Sequence, residues 1–243
     1  AQVCGVSKTD WSWGPLFADF DNDGFKDLFV TNGYRREVRD NDYVIRLRSM
    51  DYDVSDFEEV LAMAEETKVM NEMYRNKGNY HFEKVMADWK LDVPVNSNGA
   101  AYADLDNDGD LDLVLNNMED VSAILENKLK SDNKWLRIKV NKDFEGAQIS
   151  VVTNKGKFYQ EYNPTRGFQS CMEQYVHFGL GDADSIQYIK IEYPGRSDDA
   201  MVLWGGELNT TMELDYKPTY PGFMPDAWYN FEKPLFKVLN NIQ

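Results

Sequence analysis

Two short stretches of the chain place four aspartates and a glycine at matched positions, a spacing that could hold a cation. The first reads FADFDNDGFKDLFV and begins at Phe17, and the second reads ADLDNDGDLDLVL and begins at Ala103. Counted from Asp19 or Asp104, aspartates occupy positions 1, 3, 5 and 9, and a glycine occupies position 6. Alternating carboxylates on a tight loop can point at one centre, and Ca²⁺ takes about six to eight oxygen ligands. The spacing therefore predicts one calcium loop in each stretch.

The candidate ligands are equivalent in the two loops, and a backbone carbonyl at position 7 would add an oxygen after the sharp turn that glycine permits. They are Asp19, Asp21, Asp23, Phe25 and Asp27 in the first loop and Asp104, Asp106, Asp108, Asp110 and Asp112 in the second. The alternative is a turn rich in Asx residues that holds no metal. Two crowded loops at matched positions favour calcium, because their carboxylates would otherwise repel one another. Magnesium is less favoured, because Mg²⁺ needs a rigid octahedral arrangement of its ligands. We therefore expect two Ca²⁺ sites, and we expect their role to be structural.

The residue at position 12 argues against an EF-hand, which needs a bidentate Glu there and flanking helices. Val30 and Leu115 occupy this position, inside apolar runs that are typical of strands. Each loop therefore leads from its ninth-position aspartate into a β-strand. Runs rich in β-branched, aromatic and aliphatic residues predict strands over 28–31, 113–116, 136–140, 148–153 and 186–193.

The two loops belong to an internal repeat, which indicates stacked or radially arranged units. Each residue of the second copy follows its counterpart by 85 positions, so that Gly14 aligns with Gly99. A second match, YRNK at Tyr74 against LENK at Leu125, has an offset of 51. The first copy therefore contains about 34 extra residues between its loop and its next strand.

The extra residues lie between Tyr34 and Met70 and predict one helix over about 55–69, preceded by a polar loop. The run SDFE from Ser55 is a capping box. Apolar residues follow at the helical spacing of positions 57, 60, 61 and 64. Two interpretations stay open: the helix packs on the repeat and fills space, or it forms a binding feature on an inserted loop.

Charge and composition exclude several classes of partner. The formal net charge is -16 and the longest basic run is Arg35 with Arg36, so we expect no nucleic acid. No segment reaches the roughly 20 apolar residues of a transmembrane helix. The absence of a signal peptide and of an initiator Met favours a mature product or a piece of a longer polypeptide. Cys4 and Cys171 define neither a zinc site nor a redox motif, and whether they form a disulfide stays open.

Residues suited to catalysis are sparse. His81 lies in an apparent strand, and His177 lies in the run HFGLG, where we expect it to hydrogen-bond within its own turn. Neither has a Ser, Cys or Asp at the spacing of a nucleophile and its base. Trp11 and Trp13 could stack on a sugar ring, but we expect them to pack between structural units.

The aspartate loops resemble FG-GAP or VCBS repeats, and YRNKG from Tyr74, with Phe82 behind it, resembles the strand that follows such a loop. The resemblance implies calcium-binding blades of a β-propeller, with the aspartates of both loops as ligands. The runs NKWLRIKV, GAQI, RGFQS and VHFGLG resemble the ASPIC/UnbV domain, a small β-rich module. The chain departs from that family at Tyr193, where YPG replaces Trp-Pro-x-Gly.

The fold implied by these resemblances is mainly β. We expect part of a β-propeller over residues 1–130, made of two FG-GAP/VCBS-type repeats with a helical insertion at about 35–70. An ASPIC/UnbV-like β domain over 131–217 and a linker or tail over 218–243 would follow. Because a propeller takes about four to eight blades, we expect the two repeats to belong to a larger propeller.

The resemblance implies a bacterial protein that is extracellular or at the outer-membrane surface, attached through a part outside this sequence. We expect a non-enzymatic, calcium-stabilised binding or scaffolding function, accessory to glycan or nutrient uptake. A glycan or another envelope protein, together with the rest of a larger polypeptide, would be the partner. The alternatives are a lyase-like enzyme acting on polysaccharides, which could use a catalytic calcium, and a purely architectural subunit of an outer-membrane complex.

Overall fold

A computed structural model describes residues 1–37, 40–50, 57–128, 130–193 and 196–214. The capping box at Ser55, the YPG departure after Tyr193 and the expected tail over 218–243 lie wholly or partly outside these residues. Strands dominate the described residues, as the sequence predicts, and they form four sheets. Two of these sheets contain the aspartate loops, and the other two belong to the carboxy-terminal half.

The first aspartate loop opens a four-stranded antiparallel sheet whose strands follow one another in chain order. The strands are β1 (Ser12–Ala18), β2 (Asp27–Asn32), β3 (Glu72–Asn76) and β4 (Phe82–Lys84). Ala18 pairs with Asp27, so the loop joins the ends of β1 and β2. All six residues of β2 are buried, the apolar Leu28, Phe29 and Val30 at its centre and the polar residues at its two ends.

The second aspartate loop opens an equivalent sheet of three strands, β5 (Ser97–Ala103), β6 (Asp112–Asn117) and β7 (Ala123–Leu125). Ala103 pairs with Asp112, as Ala18 pairs with Asp27 in the first copy. The 85-residue offset in the sequence is therefore an offset between two copies of one hairpin. These two sheets do not by themselves close a propeller.

The two loop-bearing sheets share one apolar core, so they pack as neighbours. Leu16, Phe20 and Phe29 of the first copy are buried together with Leu113 and Leu115 of the second. Met172 from the carboxy-terminal half also enters this core. Burial of such side chains is worth about 1.5–3 kcal/mol each, which makes the pair of sheets one folded unit.

The insertion differs from the single predicted helix. Helix α1 (Asn41–Ser49) lies where the sequence predicts a polar loop, and its N-cap Asp40 accepts a hydrogen bond from the amide of Asp42. Helix α2 (Phe57–Ala62) lies within the predicted range but ends seven residues early. Val60 and Ala64 are buried, as the predicted apolar face requires. Beyond the helix, Glu66 forms a β-bridge with Arg36.

The carboxy-terminal half is a sandwich of two sheets. One sheet has the order β10-β9-β12-β13 and the other the order β11-β8-β14, with β14 parallel to β8. The bounds are β8 Lys134–Lys139, β9 Gln148–Thr153, β10 Lys157–Glu161, β11 Tyr175–Gly181, β12 Ile186–Tyr193, β13 Arg196–Trp204 and β14 Thr210–Glu213. Inward residues of both sheets, among them Leu136, Ile149, Val176 and Ile189, form a single core. The predicted strands over 148–153 and 186–193 match β9 and β12.

The sandwich packs directly on both aspartate loops, and glycines permit the contact. A Cβ on Gly179 of β11 would lie 2.0 Å from Asp19 Oδ2 and 2.6 Å from Asn22 Cα. A Cβ on Gly109 of the second loop would lie 1.9 Å from the Trp135 ring of β8. The backbone of β11 is bonded to the first loop, since the Gly181 amide donates to the Asn22 carbonyl at 2.9 Å.

The close approach at Gly179 predicts that Gly179→Ala separates β11 from the first loop. Overpacking of this kind costs about 1–3 kcal/mol. Gly156→Ala is the matched control, because a Cβ at Gly156 has no atom within 4 Å. We expect a urea midpoint well below that of the unsubstituted protein for Gly179→Ala and a midpoint near it for Gly156→Ala. Equal midpoints for the two variants would contradict the close contact.

Candidate metal centres

The first loop brings three buried carboxylates to one point. Asp19, Asp21 and Asp27 each offer an oxygen within 4.8 Å of the others. Their residues are 7%, 3% and 0% exposed. Asp23 lies beside this group and is partly exposed, and its Oδ1 accepts a hydrogen bond from the Phe25 amide at 2.9 Å. All-oxygen sites of this kind suit a hard cation such as Ca²⁺.

The second loop gathers a different set from the same motif. Asp104, Asp106 and Asp108 offer oxygens within 4.8 Å of one another, and only Asp104 of the three is buried. Asp112 is buried outside this group, and Asp110 is half-buried at position 7. Three of the five predicted ligands therefore come together in each loop, at positions 1, 3 and 9 in the first and at 1, 3 and 5 in the second.

The position-1 aspartate organises the backbone in both loops. Asp19 accepts hydrogen bonds from the amides of residues 23 and 24 at 3.1 and 2.8 Å. Asp104 accepts the equivalent pair from residues 108 and 109 at 3.1 and 3.2 Å. The turn also needs left-handed backbone at positions 4 and 6, where φ is 58° and 93° in the first loop and 63° and 95° in the second. Asn and Gly, which the motif places there, tolerate this conformation best.

The position-9 aspartate braces the loop against the next strand. Asp27 accepts from the Phe20 amide at 3.0 Å and from the Asn76 amide at 2.9 Å. Asp112 accepts the equivalent pair, from Leu105 at 2.9 Å and Asn127 at 2.8 Å. Both oxygens of each carboxylate are thus engaged by backbone amides.

Two asparagines complete this brace, and their role was not predicted. The side-chain amide of Asn76 donates to the Lys26 carbonyl at 2.9 Å, and that of Asn127 donates to the Leu111 carbonyl at 3.3 Å. Both carbonyls belong to position 8 of their loop. The sequence did contain a signal for this shared role, because the 51-residue offset between YRNK and LENK aligns Asn76 with Asn127.

Burial and crowding make these carboxylates resist ionisation. Desolvation, together with the charges of Asp27 and Asp23, raises the pKa of Asp19 well above its usual value. Desolvation likewise raises the pKa of Asp27 to about 7, despite its two amide bonds. At Asp110, desolvation and the charge of Asp108 raise the pKa to about 8. A bound cation would favour the ionised forms, so these sites fit the ion that the motif predicts.

Each loop also contacts one arginine, and sequence reasoning missed both. Arg75 of β3 lies 2.5 Å from Asp21 Oδ2 and 3.2 Å from Asp23 Oδ2. Arg137 of β8 donates to Asp104 Oδ2 at 2.7 Å and to Asn107 Oδ1 at 3.2 Å. The Arg137 side chain is 3% exposed and bridges the sandwich to the second loop.

Comparison with known families follows the same division of the chain. Residues 51–115 match the family of FG-GAP-like repeats, and residues 138–217 match the ASPIC and UnbV family. This chain combines an FG-GAP-like repeat with an ASPIC/UnbV domain. The resemblance found in the sequence is therefore confirmed. The first aspartate loop lies outside the FG-GAP match and the second lies inside it.

Relatives named cartilage acidic protein 1 match parts of the chain. The protein from Xenopus tropicalis is 29% identical over 126 residues, which cover 49% of this chain and 19% of that protein. The proteins from Homo sapiens and Mus musculus are each 24% identical over 209 residues, covering 83% of this chain and 28% of theirs. The chain thus spans less than a third of the length of these curated relatives.

The FG-GAP-like repeat and the ASPIC/UnbV domain are of the kind found in extracellular surface or adhesion-type proteins. Within the described ranges, no helix has the length and apolar character needed to cross a bilayer.

The HFGLG run of the ASPIC/UnbV domain is a contact surface for the first loop. His177 does not bond within its own turn as predicted; its Nε2 lies 2.7 Å from Asn22 Oδ1. Asn22 uses its amide nitrogen to donate to the Gly109 carbonyl at 3.0 Å, so its oxygen accepts from His177. Desolvation, with a smaller effect of Arg137, lowers the pKa of His177 to about 3. The buried imidazole thus uses Nε2 to join the domain to the first loop, while its Nδ1 has no hydrogen-bond partner among the described atoms.

The tryptophans form part of an aromatic cluster near the start of β1. Trp13 is half-buried, lies 4.8 Å from Phe168 between ring centroids and donates through Nε1 to the Gly33 carbonyl. Trp11 stacks on Tyr34 at 5.3 Å, and these two rings are 38% and 42% exposed. Trp13 therefore joins the repeats to the ASPIC/UnbV domain, whereas packing of both tryptophans between propeller blades stays a prediction. Cys4 and Cys171 are both free thiols, which decides against the disulfide.

The position-9 brace predicts that Asp112→Asn destabilises the protein without involving any metal. An amide keeps the shape of the side chain but turns one oxygen into a donor facing the amide of Leu105 or Asn127. Measured in excess EDTA, the loss should be about 1–3 kcal/mol of unfolding free energy. Asp106→Asn is the control, because Asp106 is exposed and its single amide contact is long, 3.4 Å. A loss for Asp106→Asn as large as for Asp112→Asn would refute the brace.

Proposed function

We propose that this chain is a non-enzymatic, calcium-stabilised binding or scaffolding protein that acts outside the cell. The observation that carries the proposal is the clustering of three carboxylates in each loop, directly beneath the ASPIC/UnbV domain. The aspartates of both loops, with the position-7 carbonyls of Phe25 and Asp110, would hold the ion. When bound, calcium would neutralise the carboxylates and fix the loops on which the domain rests.

The donor set favours calcium over other biological cations. Both clusters offer carboxylate oxygens, the ligands that hard cations select, whereas zinc sites recruit Cys or His. His177, the imidazole beside the first loop, is bonded to Asn22 and lies outside the carboxylate cluster. Calcium also tolerates flexible coordination better than magnesium does, which suits loops that share ligands with backbone amides.

An extracellular setting fits a site of this kind. Extracellular calcium modules work at dissociation constants of about 10⁻⁴–10⁻³ M, where the ion is abundant. The relatives that cover this chain, cartilage acidic protein 1 of human and mouse, support such a setting by their tissue name alone. A bacterial cell surface, with a lipid anchor or outer-membrane complex, rests on the family resemblance and belongs to the same proposal.

A binding role is preferred to catalysis because the histidines of the described residues do not serve chemistry. His177 is buried and neutral, and His81 is exposed in the turn before β4 with its backbone bonded to Gly78 and Lys77. The partner we propose is a glycan or another surface protein. A function accessory to glycan or nutrient uptake would follow from such a partner.

Calcium should raise the melting temperature, and two substitutions should each remove part of the rise. A ligand at 100 times its dissociation constant adds about 2.7 kcal/mol per site. For a chain of this size, each kcal/mol shifts the melting temperature by about 2–4 °C. We expect a clear difference between saturating Ca²⁺ and EDTA in calorimetry. Asp23→Ala and Asp108→Ala should each abolish one site's share of it.

Two controls define the specificity of this result. Asp92→Asn removes one exposed carboxylate that belongs to neither loop motif and should leave the calcium shift unchanged. Mg²⁺ at the same concentration should give a smaller shift. An unchanged melting temperature in EDTA, with no response to Asp23→Ala or Asp108→Ala, would overturn the calcium proposal.

A further inference from the structure

We propose that Arg75 is a built-in counter-ion of the first loop that weakens its affinity for calcium. The residue at this repeat position, Arg75 in the first copy and Glu126 in the second, would then set the order in which the two loops fill. The second loop should fill first. This inference rests on the proposed calcium binding and adds to it a difference between the two sites.

The geometry places Arg75 on atoms that a bound cation would need. Its terminal guanidinium nitrogen contacts Asp21 Oδ2 and Asp23 Oδ2, at positions 3 and 5 of the loop. Asp21 belongs to the cluster whose oxygens lie within 4.8 Å of one another. A guanidinium and a calcium ion on the same carboxylates repel each other, so one must give way.

Arg75 is able to move away. Its side chain is 31% exposed, and its Nε has no hydrogen-bond partner among the described atoms. The two carboxylates of the loop are its ion-pair partners in the described residues. Because the Asp21 side chain is 2% exposed, departure of the guanidinium would leave a buried carboxylate unpaired unless a divalent ion takes its place. Displacement of Arg75 by calcium therefore carries a cost that lowers the affinity of the first loop.

Arg137, the cation beside the second loop, is more deeply buried and contacts position 1 of its loop rather than positions 3 and 5. It is 3% exposed and is held by Glu173 at 2.9 Å and by the ring of Tyr175 at 4.2 Å. Its contacts with the loop are to Asp104 Oδ2, the oxygen that also accepts the Gly109 amide, and to Asn107 Oδ1 at 3.2 Å. Arg137 therefore belongs to the domain interface and leaves positions 3 and 5 of the loop open.

The second loop lacks the equivalent of Arg75. Glu126 takes its place in the repeat, is half-exposed and pairs with Lys128 at 3.0 Å. In the part of the chain that the structure describes, no Lys or Arg lies within ion-pair distance of Asp106 or Asp108. Position 7 carries the carboxylate of Asp110 where the first loop has Phe25. The second loop therefore presents more uncompensated negative charge to an ion.

Isothermal titration of the full chain with CaCl₂ tests the order of filling. We expect two classes of site that differ at least tenfold in dissociation constant. Asp21→Asn, which alters the first loop, should remove the weaker class, and Asp106→Asn should remove the tighter one. The opposite assignment would overturn the proposed order.

Substitutions at the equivalent residues Arg75 and Glu126 test whether the guanidinium causes the difference in calcium affinity. Arg75→Gln should tighten the weaker class about tenfold or more and leave the tighter class unchanged. Glu126→Arg introduces a guanidinium at the exposed position of the second copy and should weaken the tighter class by a similar factor. Glu126→Gln separates this effect from simple loss of a negative charge and should change affinity much less. Circular dichroism confirms folding, and Glu126→Arg alone decides the question if Arg75→Gln does not fold.

The outcomes separate the two proposals. Calcium binding that responds to neither Arg75→Gln nor Glu126→Arg would overturn the counter-ion role and leave the calcium function standing. Weaker binding in Arg75→Gln would show that the arginine supports the site, which also overturns the inference. The absence of calcium binding at millimolar concentration in the unsubstituted protein and in Arg75→Gln would overturn both.

Discussion

The burial of clustered carboxylates is the constraint on which the rest of this structure depends. Asp27 is fully buried and Asp19 nearly so, and an uncompensated charge in such surroundings costs several kcal/mol. Backbone amides offset part of this cost by donating hydrogen bonds to the aspartates at positions 1 and 9 of each loop. The guanidinium groups of Arg75 and Arg137 offset a further part through ion pairs. Desolvation still raises the pKa of Asp19, Asp27 and Asp110, so a further cation at these loops would favour their ionised forms.

The arrangement of the two halves follows from the same loops. The ASPIC/UnbV domain does not rest on a flat apolar face; it contacts the first loop through His177 and Gly179 and the second through Arg137. Contacts of this polar, buried kind are demanding, because each donor left without its acceptor pays a desolvation penalty. A change in the conformation of either loop would therefore alter its contacts with the ASPIC/UnbV domain. An ion that made the loops more rigid would make these contacts more rigid as well.

The sequence predicted what depends on neighbouring residues and missed what depends on distant ones. The loops, β9 and β12 follow from local spacing, and their bounds agree with prediction. Helix α1 was missed because its segment has no buried residue to mark an apolar face. The partners of His177 and Arg137 lie 155 and 33 positions away along the chain, so no window of sequence joins them. The glycines of HFGLG carried a usable signal, since a close backbone approach is one reason for glycine inside a strand.

The two aspartate loops share their internal hydrogen bonds but differ in the side chains that surround them. Positions 1 and 9 bond to backbone groups of their own repeat, and these bonds recur in both copies. Positions 3 and 5 of the first loop contact Arg75, whereas the equivalent repeat position of the second copy carries Glu126, which pairs with Lys128. The carboxylate clusters differ accordingly, with Asp27 in the first and Asp108 in the second. Selection acting on one neighbouring residue can therefore change the charge that a loop presents while the loop itself keeps its shape.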